Sequence, residues 1–244
     1  MAERKRVLLQ FVYGKNTYRI CNYKTICIIS GLRRSGKSTF VRSIIGASIS
    51  SEIVDGFDIK AQNGVELIDT EMAQDLAQEL ESQTLRMSGV DRDVFDRRYN
   101  YTNLVHLNTP KLKFEEVKNI IAKTDKDIVI VDNLSGLASD QNSQTEASRI
   151  KNELNALIFE HNKLLIVVAH NAMSGSVYGV VGKGLLDIAS AAFSFRRSDM
   201  GYTLVEQVKE RYDLMPTFDF SLDDDKNVIF GPYLPFPTMN LEVD

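Results

Sequence analysis

Residues 25–49 read TICIISGLRRSGKSTFVRSIIGASI and combine three patterns that together indicate one type of fold. Its first six residues are mostly β-branched and apolar, which is typical of a strand buried on both faces of a sheet. Residues 31–38 match the phosphate-binding pattern G-x-x-x-x-G-K-[ST]. From Phe40 onward, apolar residues recur at helical spacing. A strand, a glycine-rich loop and a helix in this order predict a phosphate site at the carboxyl end of a parallel strand.

The residue types of this loop suit ATP and Mg²⁺, the two cofactors that we expect. Its two glycines let backbone N–H groups converge on phosphate oxygens, and the helix N-terminus adds partial positive charge. Lys37 offers a cation to the β- and γ-phosphates, and Ser38 offers a hydroxyl to Mg²⁺. Arg33 and Arg34 could contact phosphates or a neighbouring subunit, or they could be solvated charges of the loop. The residues expected to bind the nucleotide are Gly31, Arg33, Arg34, Ser35, Gly36, Lys37, Ser38 and Thr39.

Outward from the loop, apolar runs alternate with helical patterns. Strands are predicted at 65–69, 104–107, 127–132 and 164–169, with amphipathic helical segments between them. This alternation predicts an α/β fold with a mostly parallel central sheet and helices on both faces. Four later strand-like segments, 191–195, 203–208, 217–222 and 227–230, predict a C-terminal antiparallel extension, because the last three lack intervening helices. We expect one domain over 1–244, with an N-terminal hairpin within 1–24 and an extended tail at 232–244.

Composition limits the class of protein. The 244 residues are 43% hydrophobic and 25% charged, values of an ordinary globular protein, and the net charge is −4. This acidic balance argues against a protein whose main role is to coat duplex DNA. The two cysteines, Cys21 and Cys27, fit neither a disulfide framework nor a zinc site. The apolar runs are too short to span a bilayer. We expect a cytoplasmic protein without a membrane partner.

Two carboxylates follow predicted strands. Asp132 ends an apolar strand, as expected for a residue that holds Mg²⁺ together with Ser38, although such a residue is also common as a turn or cap. Glu71 follows the 65–69 strand, where it could activate an attacking water or stabilise the dipole of the next helix.

The order of these motifs resembles that of a known family. The phosphate loop, LIDTEM at 67–72, IVIVDNLSGL at 128–137, LLIVVAHN at 164–171 and VKER at 208–211 follow the RecA-like ATPase core of hexameric replicative helicases, of the DnaB and RepA plasmid type. The resemblance covers residues 20–230. It implies an ATPase motor of a DNA helicase that acts on single-stranded DNA, with ATP sites between the subunits of a homo-oligomeric ring, most simply a hexamer. A primase or initiator protein would be a further partner.

The resemblance also assigns roles to individual residues. It implies that Glu71 is the catalytic glutamate and that His170, at the end of its strand, senses the γ-phosphate. It implies that Lys209 and Arg211 reach into the ATP site of the neighbouring subunit. The alternative for His170 is a satisfied polar residue at a strand end, and the alternative for the two cations is a pair of gatekeeping charges on a solvated edge strand. Together with Lys37, these are the candidate catalytic residues.

The sequence departs from the family in its expected nucleic-acid loop. Residues 171–182 resemble that mobile loop, but Lys183 at its end is the only nearby cation. After Arg211, the turn typical of the family is replaced by YDLMPT at 212–217. Two other functions stay open for these reasons. One is a RecA-like recombination or repair ATPase that forms filaments on DNA. The other is a nucleotide-gated ATPase that binds a partner and has little affinity for DNA.

Overall fold

The computed structural model describes residues 7–50, 52–71, 74–171, 179–224 and 228–231, of which 74–76 are described by their backbone alone. A nine-stranded sheet forms its centre, with strand order β12-β11-β10-β9-β3-β8-β7-β5-β6. A separate three-stranded sheet has the order β2-β1-β4. Among the described residues, no helix combines the length and the apolar composition needed to cross a membrane.

The large sheet is parallel through its middle and antiparallel at one end. Strand β3 lies between β8 and β9 and is parallel to both, and β7, β5 and β6 continue the parallel part. Strands β10, β11 and β12 then join in antiparallel order. The expected antiparallel extension is therefore present. The strands of this sheet are β3 (Thr25–Gly31), β5 (Val65–Asp69), β6 (Tyr99–Asn103), β7 (Ile128–Asp132), β8 (Leu164–His170), β9 (Ala191–Arg197), β10 (Thr203–Glu210), β11 (Phe218–Leu222) and β12 (Val228–Phe230).

Helices cover both faces of the sheet. Alternate residues of β3 show this arrangement, because Cys27 and Ile29 join one buried cluster while Ile26 and Ile28 join the other. The first cluster includes side chains of α1, α3 and the small sheet, and the second includes side chains of α4, α5 and α6. The helices are α1 (Lys37–Ser50), α2 (Gln74–Ser88), α3 (Arg92–Arg98), α4 (Pro110–Lys123), α5 (Gln144–Glu160) and α6 (Gly179–Ile188), and a short 3-10 helix spans Leu134–Leu137.

The N-terminal hairpin belongs to the small sheet. Strands β1 (Leu9–Tyr13) and β2 (Asn16–Cys21) pair in antiparallel fashion around Gly14, whose φ of 61° is one that glycine adopts readily. Strand β4 (Phe57–Ile59), which the apolar pattern did not predict, pairs with the other edge of β1. Phe11 of β1 is fully buried and packs against Phe57 and Phe218, so the small sheet shares the core of the large one.

The strand predicted at 104–107 is wrong, because the strand at this position is β6, Tyr99–Asn103. Leu104 and Leu107 lie in the turn that follows, and Leu104 is buried against the cluster that contains α4. The true strand has little apolar periodicity because it is an edge strand. Its polar side chains Asn100 and Thr102 instead donate hydrogen bonds to the buried Glu66 carboxylate, at 3.0 and 3.1 Å.

The predicted loop at 171–182 is also partly wrong. Helix α6 begins at Gly179, so the last four residues of the segment are helical. Gly179 has a φ of 69°, and a Cβ there would lie 2.4 Å from the Gln141 carbonyl oxygen. The Val181 amide donates to that same carbonyl, at 3.1 Å. Residues 172–178 and the tail predicted at 232–244 lie outside the described residues.

Candidate active site

The loop between β3 and α1 has the shape that its glycines predict. Strand β3 ends at Gly31, and α1 begins at Lys37. Between them, Arg34 and Gly36 have φ values of 61° and 92°. The amides of the first turn of α1 donate to the Gly36 carbonyl oxygen, from Thr39 at 3.1 Å and from Phe40 at 3.2 Å. The loop therefore leads directly into a helix N-terminus, which is a favourable place for an anion.

Both glycines of the loop are required by close contacts. A Cβ on Gly31 would lie 2.6 Å from the Phe195 carbonyl oxygen, which belongs to the neighbouring strand β9. A Cβ on Gly36 would lie 2.7 Å from Thr203 Oγ1 on β10 and 3.0 Å from the Phe220 ring on β11. The antiparallel end of the sheet thus packs tightly against the loop, and no larger residue fits at either position.

Lys37 turns its ammonium back onto the loop. Its Nζ donates to the carbonyl oxygens of Gly31, at 2.9 Å, and of Leu32, at 2.7 Å. Burial lowers the pKa of Lys37 to about 8, and the attraction of Asp132 opposes this effect. The ammonium is therefore buried against the start of the loop, within electrostatic reach of Asp132.

The other loop side chains divide into inward and outward groups. Ser35 is buried, and its Oγ has no hydrogen-bond partner, whereas Arg33, Arg34 and Ser38 are exposed. Thr39 is buried, and its hydroxyl accepts a bond from Arg42 at 3.1 Å. Ser38 is therefore available to a ligand, while the Thr39 hydroxyl already has a contact within α1.

Two aspartates meet at the carboxyl ends of β5 and β7. Asp69 and Asp132 are paired in the register of these adjacent parallel strands. Asp69 accepts from the Glu71 amide at 2.8 Å and from the Tyr101 hydroxyl at 3.0 Å. Burial, helped by repulsion from Asp69, raises the pKa of Asp132 to about 6, and Lys37 and His170 oppose this rise. Asp132 thus lies between a carboxylate and a cation, as a ligand for a divalent ion would.

Glu71 belongs to a polar cluster with residues from two other elements. Its Oε1 accepts from the Ser135 hydroxyl at 2.7 Å, and its Oε2 lies 3.9 Å from His170 Nε2. The Asn133 side-chain nitrogen lies 3.1 Å from the same imidazole nitrogen. The pKa of Glu71 falls to about 2, with His170 as the largest cause and smaller effects from Ser135 and Asn133, although burial opposes the fall. Glu71 is therefore an ionised carboxylate at any physiological pH.

Thr70 and Asn133 hold this cluster in place. The Thr70 hydroxyl donates to the Asn133 carbonyl oxygen and accepts from the Asn133 amide, both at 3.0 Å. A Cβ on Gly136 would lie 2.6 Å from Thr70 Oγ1, so the 3-10 helix after β7 needs this glycine. Lys113 Nζ, from α4, donates to the Thr70 carbonyl oxygen at 2.7 Å. The Thr70 hydroxyl therefore joins the segment after β5 to the segment after β7, and the Thr70 carbonyl oxygen joins it to α4.

His170 connects this cluster to the phosphate loop. It ends β8, where its register partner on β3 is Gly31, the first residue of the loop. The next residue, Asn171, donates its amide to the Gly31 carbonyl oxygen at 3.1 Å. His170 Nδ1 and Asn171 Oδ1 are buried and have no hydrogen-bond partner. Ser35 Oγ is a third unsatisfied polar atom close to this loop. Its hydroxyl and an Nδ1–H of His170 are donors that fit the phosphate oxygens of a ligand, whereas Asn171 Oδ1 is an acceptor and does not.

Lys209 and Arg211 lie away from this cluster. Lys209 Nζ donates to the carbonyl oxygens of Leu186 and, at 2.8 Å, of Asp187, and thereby binds the carboxyl end of α6. A register shift precedes Lys209 in β10, and the strand ends at Glu210, so Arg211 lies beyond it. Arg211 is exposed. Arg211 therefore does not lie on the strand that carries Lys209, and the role of both cations across a subunit boundary stays a prediction.

A cavity of about 430 Å³ adjoins the start of α1. The sequence predicted Gly36 and Thr39 as binding residues but not the other walls, because those come from the antiparallel strands and their turns, which carry no motif. Sequence reasoning also missed Thr70, Asn133 and Ser135, for which the only signal was a row of polar residues after a strand end. The cavity opens beside the phosphate loop, and its size suits a nucleoside. Its walls include Gly36, Thr39, Thr203, Phe220, Ser221 and Asp223.

Comparison with known proteins supports the fold. The chain is similar to a crystal structure of the flagellar accessory protein FlaH from Methanocaldococcus jannaschii, with a TM-score of 0.61. The match covers 85% of this chain and 89% of that chain. The chain has a RecA-like α/β fold. Sequence identity is 13%, so the similarity concerns the fold alone. No protein-family model and no curated protein sequence matches this chain.

Within this RecA-like fold, the predicted residues fall into two groups. Lys37, Ser38, Glu71, Asp132 and His170 lie at the carboxyl ends of β3, β5, β7 and β8 or directly after them, which form one edge of the sheet. Lys209 and Arg211 lie at the far end of β10 and contribute nothing to this edge within one chain. The structure brings together the phosphate, metal and water-activating candidates, and it leaves the two cations apart.

Proposed function

We propose that this protein binds ATP with Mg²⁺ and hydrolyses the γ-phosphate. The single observation that carries the proposal is the convergence of the phosphate loop, Asp132 and Glu71 at one edge of the sheet. The β- and γ-phosphates would bind to the loop amides, and Lys37 would exchange its two carbonyl contacts for phosphate oxygens. The 430 Å³ cavity beside Gly36 would take the nucleoside.

Ser38 and Asp132 would hold the metal ion. Ser38 is exposed at the first turn of α1, and Asp132 faces Lys37 from the end of β7. When bound, Mg²⁺ supplies positive charge at the β- and γ-phosphate oxygens. Deprotonation of Asp132 is needed for this contact, and its pKa of about 6 allows it at neutral pH.

Glu71 would orient the attacking water and accept its proton. Its low pKa makes it a weak base, but phosphoryl transfer passes through a loose transition state that needs little base strength. Ser135 and His170 hold the carboxylate from two sides, so its position is defined before substrate arrives. His170 lies between Glu71 and the phosphate loop and would respond to the γ-phosphate.

The test is ATP binding and hydrolysis by the purified chain and by two variants. Lys37→Ala should weaken ATP binding at least about tenfold, because it removes a charge-assisted contact. Glu71→Gln should still bind ATP but hydrolyse it about 10²- to 10⁴-fold more slowly. Glu160→Gln, an exposed change at the end of α5, is the matched control. Normal binding and turnover by Lys37→Ala would exclude the phosphate-loop proposal.

At a finer level, we propose that the ATPase is the motor domain of a replicative-type helicase on single-stranded DNA. Support comes from the resemblance of its motif order to the DnaB and RepA type and from the position of His170 directly before residues 171–182. A homo-oligomeric ring would supply Arg211 to the neighbouring ATP site. A primase or initiator protein would then be the further partner.

One rival function is favoured by a specific observation. The Lys209 ammonium is bound to the end of α6, and within the described part of α6 Lys183 is the one cationic side chain. A nucleotide-gated ATPase that binds a protein partner needs no such cations, whereas a DNA motor does. Single-stranded DNA should accelerate ATP hydrolysis by a motor and leave hydrolysis by the partner-binding ATPase unchanged. Negative-stain images would separate rings from the filaments of a recombination ATPase.

A further inference from the structure

The loop between β10 and β11 is fixed to the N-terminal hairpin by one ion pair. Arg19 of β2 donates to both oxygens of Asp213, from Nη2 at 2.7 Å and from Nε at 2.9 Å. The Arg19 amide also donates to Asp213 Oδ2, at 2.8 Å, and the Asp213 amide donates to the Arg19 carbonyl oxygen, at 3.2 Å. Four hydrogen bonds therefore join two residues that are 194 positions apart in sequence.

This geometry distinguishes the pair from an ordinary surface ion pair. Exposed salt bridges usually contribute little, because two long side chains must be held in one geometry. Here the guanidinium fork meets the carboxylate in the planar, two-bond arrangement that gives geometric specificity. The Asp213 amide bond to the Arg19 carbonyl oxygen is independent of both side chains, whereas the Arg19 amide bond also uses the Asp213 carboxylate. The contact is thus suited to hold a segment in a defined position.

The rest of the loop alternates between anchored and exposed residues. Asp213 is bound to Arg19, and Met215 is buried and donates its amide to the Gln207 side chain at 2.6 Å. Between and before these anchors, Tyr212 and Leu214 are exposed, with 37% and 59% of their surface accessible. Arg211 is exposed as well, and no contact of its guanidinium is found among the described residues. The anchors therefore present Arg211 outward from a fixed backbone.

We propose that Arg19 and Asp213 are positioning residues whose ion pair holds the 211–217 loop so that Arg211 reaches ATP bound to a neighbouring copy of the chain. The inference rests on the proposed ATPase function and on the role of Arg211 across the subunit boundary. An arginine that stabilises a transferring phosphoryl group must be held within a fraction of an ångström. The N-terminal hairpin would thus act as a brace, that is, its Arg19 would hold the loop from which Arg211 extends toward the neighbouring copy.

The experiment compares Arg19→Ala and Asp213→Ala with Arg211→Ala. Arg92→Ala is the matched control: Arg92 pairs with the carboxylates of Glu81 and Asp96, whereas Arg19 pairs with one, and its side chain is 56% exposed against 54% for Arg19. Three quantities are measured for each variant: the Kd for a fluorescent ATP analogue, the kcat at saturating ATP, and the rate of tryptic cleavage after Arg211.

Loss of the ion pair should lower kcat at least about tenfold and leave the Kd within about twofold, because the ATP site of the same chain is untouched. Arg19→Ala should have no further effect on kcat in the Arg211→Ala background, since it acts through Arg211. Cleavage after Arg211 should become several-fold faster. The double exchange Arg19→Asp with Asp213→Arg should restore part of kcat, as it restores the charges but not the Arg19 amide bond. Arg92→Ala should change none of the three.

Several results would overturn the inference. An unchanged kcat and cleavage rate in Arg19→Ala would show that the pair holds nothing in place. If Arg19→Ala lowers kcat by the same factor in the wild-type and Arg211→Ala backgrounds, Arg19 does not act through Arg211. A normal kcat in Arg211→Ala would remove the role of the loop and leave the ATPase proposal intact. If the wild-type chain binds and hydrolyses no ATP, the proposed function fails, and unchanged cleavage in Arg19→Ala would then exclude the brace independently of activity.

Discussion

At the scale of single residues, two groups of the candidate site titrate near neutral pH. Burial lowers the pKa of Lys37 to about 8 and raises that of Asp132 to about 6. Each of the two opposes the shift of the other, since the ammonium and the carboxylate attract. Their charged forms coexist mainly between these two values. Both charges are needed to bind ATP with Mg²⁺, so the protonation of this pair should control binding.

We predict that the affinity for ATP with Mg²⁺ is highest between about pH 6 and pH 8. Below this range Asp132 gains a proton and loses its capacity as a metal ligand, and above it Lys37 loses its charge. The measurement is the Kd by calorimetry from pH 5 to pH 9. Lys37→Arg is the informative variant, because arginine stays charged. It should bind more weakly and lose the alkaline decline. An alkaline decline that persists in this variant would contradict the assignment to Lys37.

We also predict that Asp132→Asn stabilises the fold. The folded-state pKa of Asp132 is raised, so its ionisation costs free energy, and this cost grows as pH rises from about 4 to about 6 and is constant above. The free energy of unfolding of the variant should therefore exceed that of wild type by up to about 3 kcal/mol at pH 7.5 and by almost nothing at pH 4. Chemical unfolding at the two pH values measures the difference. Asp199→Asn, at an exposed position, should show no such pH dependence.

The loop glycines give a third prediction. Gly36→Ala would place a Cβ 2.7 Å from Thr203 Oγ1 at a φ of 92°, so it should lose both stability and ATP binding. Gly14→Ala also requires a positive φ, of 61°, but its Cβ would have no atom within 4 Å. It should cost only about 1 kcal/mol of backbone strain and leave ATP binding unchanged. Thermal unfolding and the Kd separate the two effects. Equal behaviour of the two variants would argue against tight packing at the loop.

At the scale of elements, the ends of helices show what local sequence specifies. Ser143 and Glu146 have the spacing of a capping box, and the Ser143 hydroxyl does accept from the Glu146 amide, at 3.3 Å. The reciprocal half of the box is absent, because the Glu146 carboxylate accepts from the Asp140 amide at 2.9 Å. The end of α6 is different. Its last carbonyls are bound by Lys209 from β10, a residue more than twenty positions away, and no local pattern signals this contact.

We predict that Lys209→Met destabilises the fold by about 1 kcal/mol, because the carbonyls of Leu186 and Asp187 lose a cationic donor at a helix C-terminus. This corresponds to a fall in Tm of about 2–4 °C for a chain of this size. Lys183→Met, an exposed change on the same helix, is the control and should leave Tm unchanged. An unchanged Tm in Lys209→Met would show that Lys209 is not a cap and is free for a partner.

At the scale of the whole molecule, the sheet separates two sets of functional candidates. The phosphate and carboxylate residues occupy the carboxyl ends of the parallel strands, whereas Arg211 extends from the end of an antiparallel strand. One chain does not bring these sets together. A head-to-tail arrangement of copies would join Arg211 of one to the ATP site of the next, and repetition of that contact produces a ring or a filament.

We predict that mixing two inactive variants restores hydrolysis. Glu71→Gln retains Arg211, and Arg211→Ala retains Glu71, so a site between the two kinds of subunit is complete in one orientation. Random mixing in equal amounts should recover about one quarter of the wild-type rate, as one interface in four has both groups. Steady-state ATP hydrolysis over a range of mixing ratios measures it. A mixed sample as inactive as its components would show that sites are not shared.

Short-range sequence pattern was enough to predict the phosphate loop and the positions along the chain of β3, β5, β7 and β8. Both depend on short-range pattern: TICIIS is apolar enough to be buried on two faces, and the loop carries its glycines and Lys37 at fixed spacing. The ends of the strands then placed Asp132, Glu71 and His170 at one edge, because parallel strands end on the same side. The strand predictions depend on apolar pattern, and the polar edge strand β6 has none, so it was not predicted.

Contacts between side chains far apart in sequence depend on the folded packing and follow from no local pattern. Ser135 contacts Glu71, Thr203 packs on Gly36 and Lys209 binds the end of α6. Arg19 fixes Asp213 from the opposite end of the chain. These contacts carry no local signal, because a hydroxyl or a cation has the same propensity whether or not a partner is near. Their geometry follows from the packing of the two sheets and the antiparallel strands around the loop, which exists only once the chain has folded.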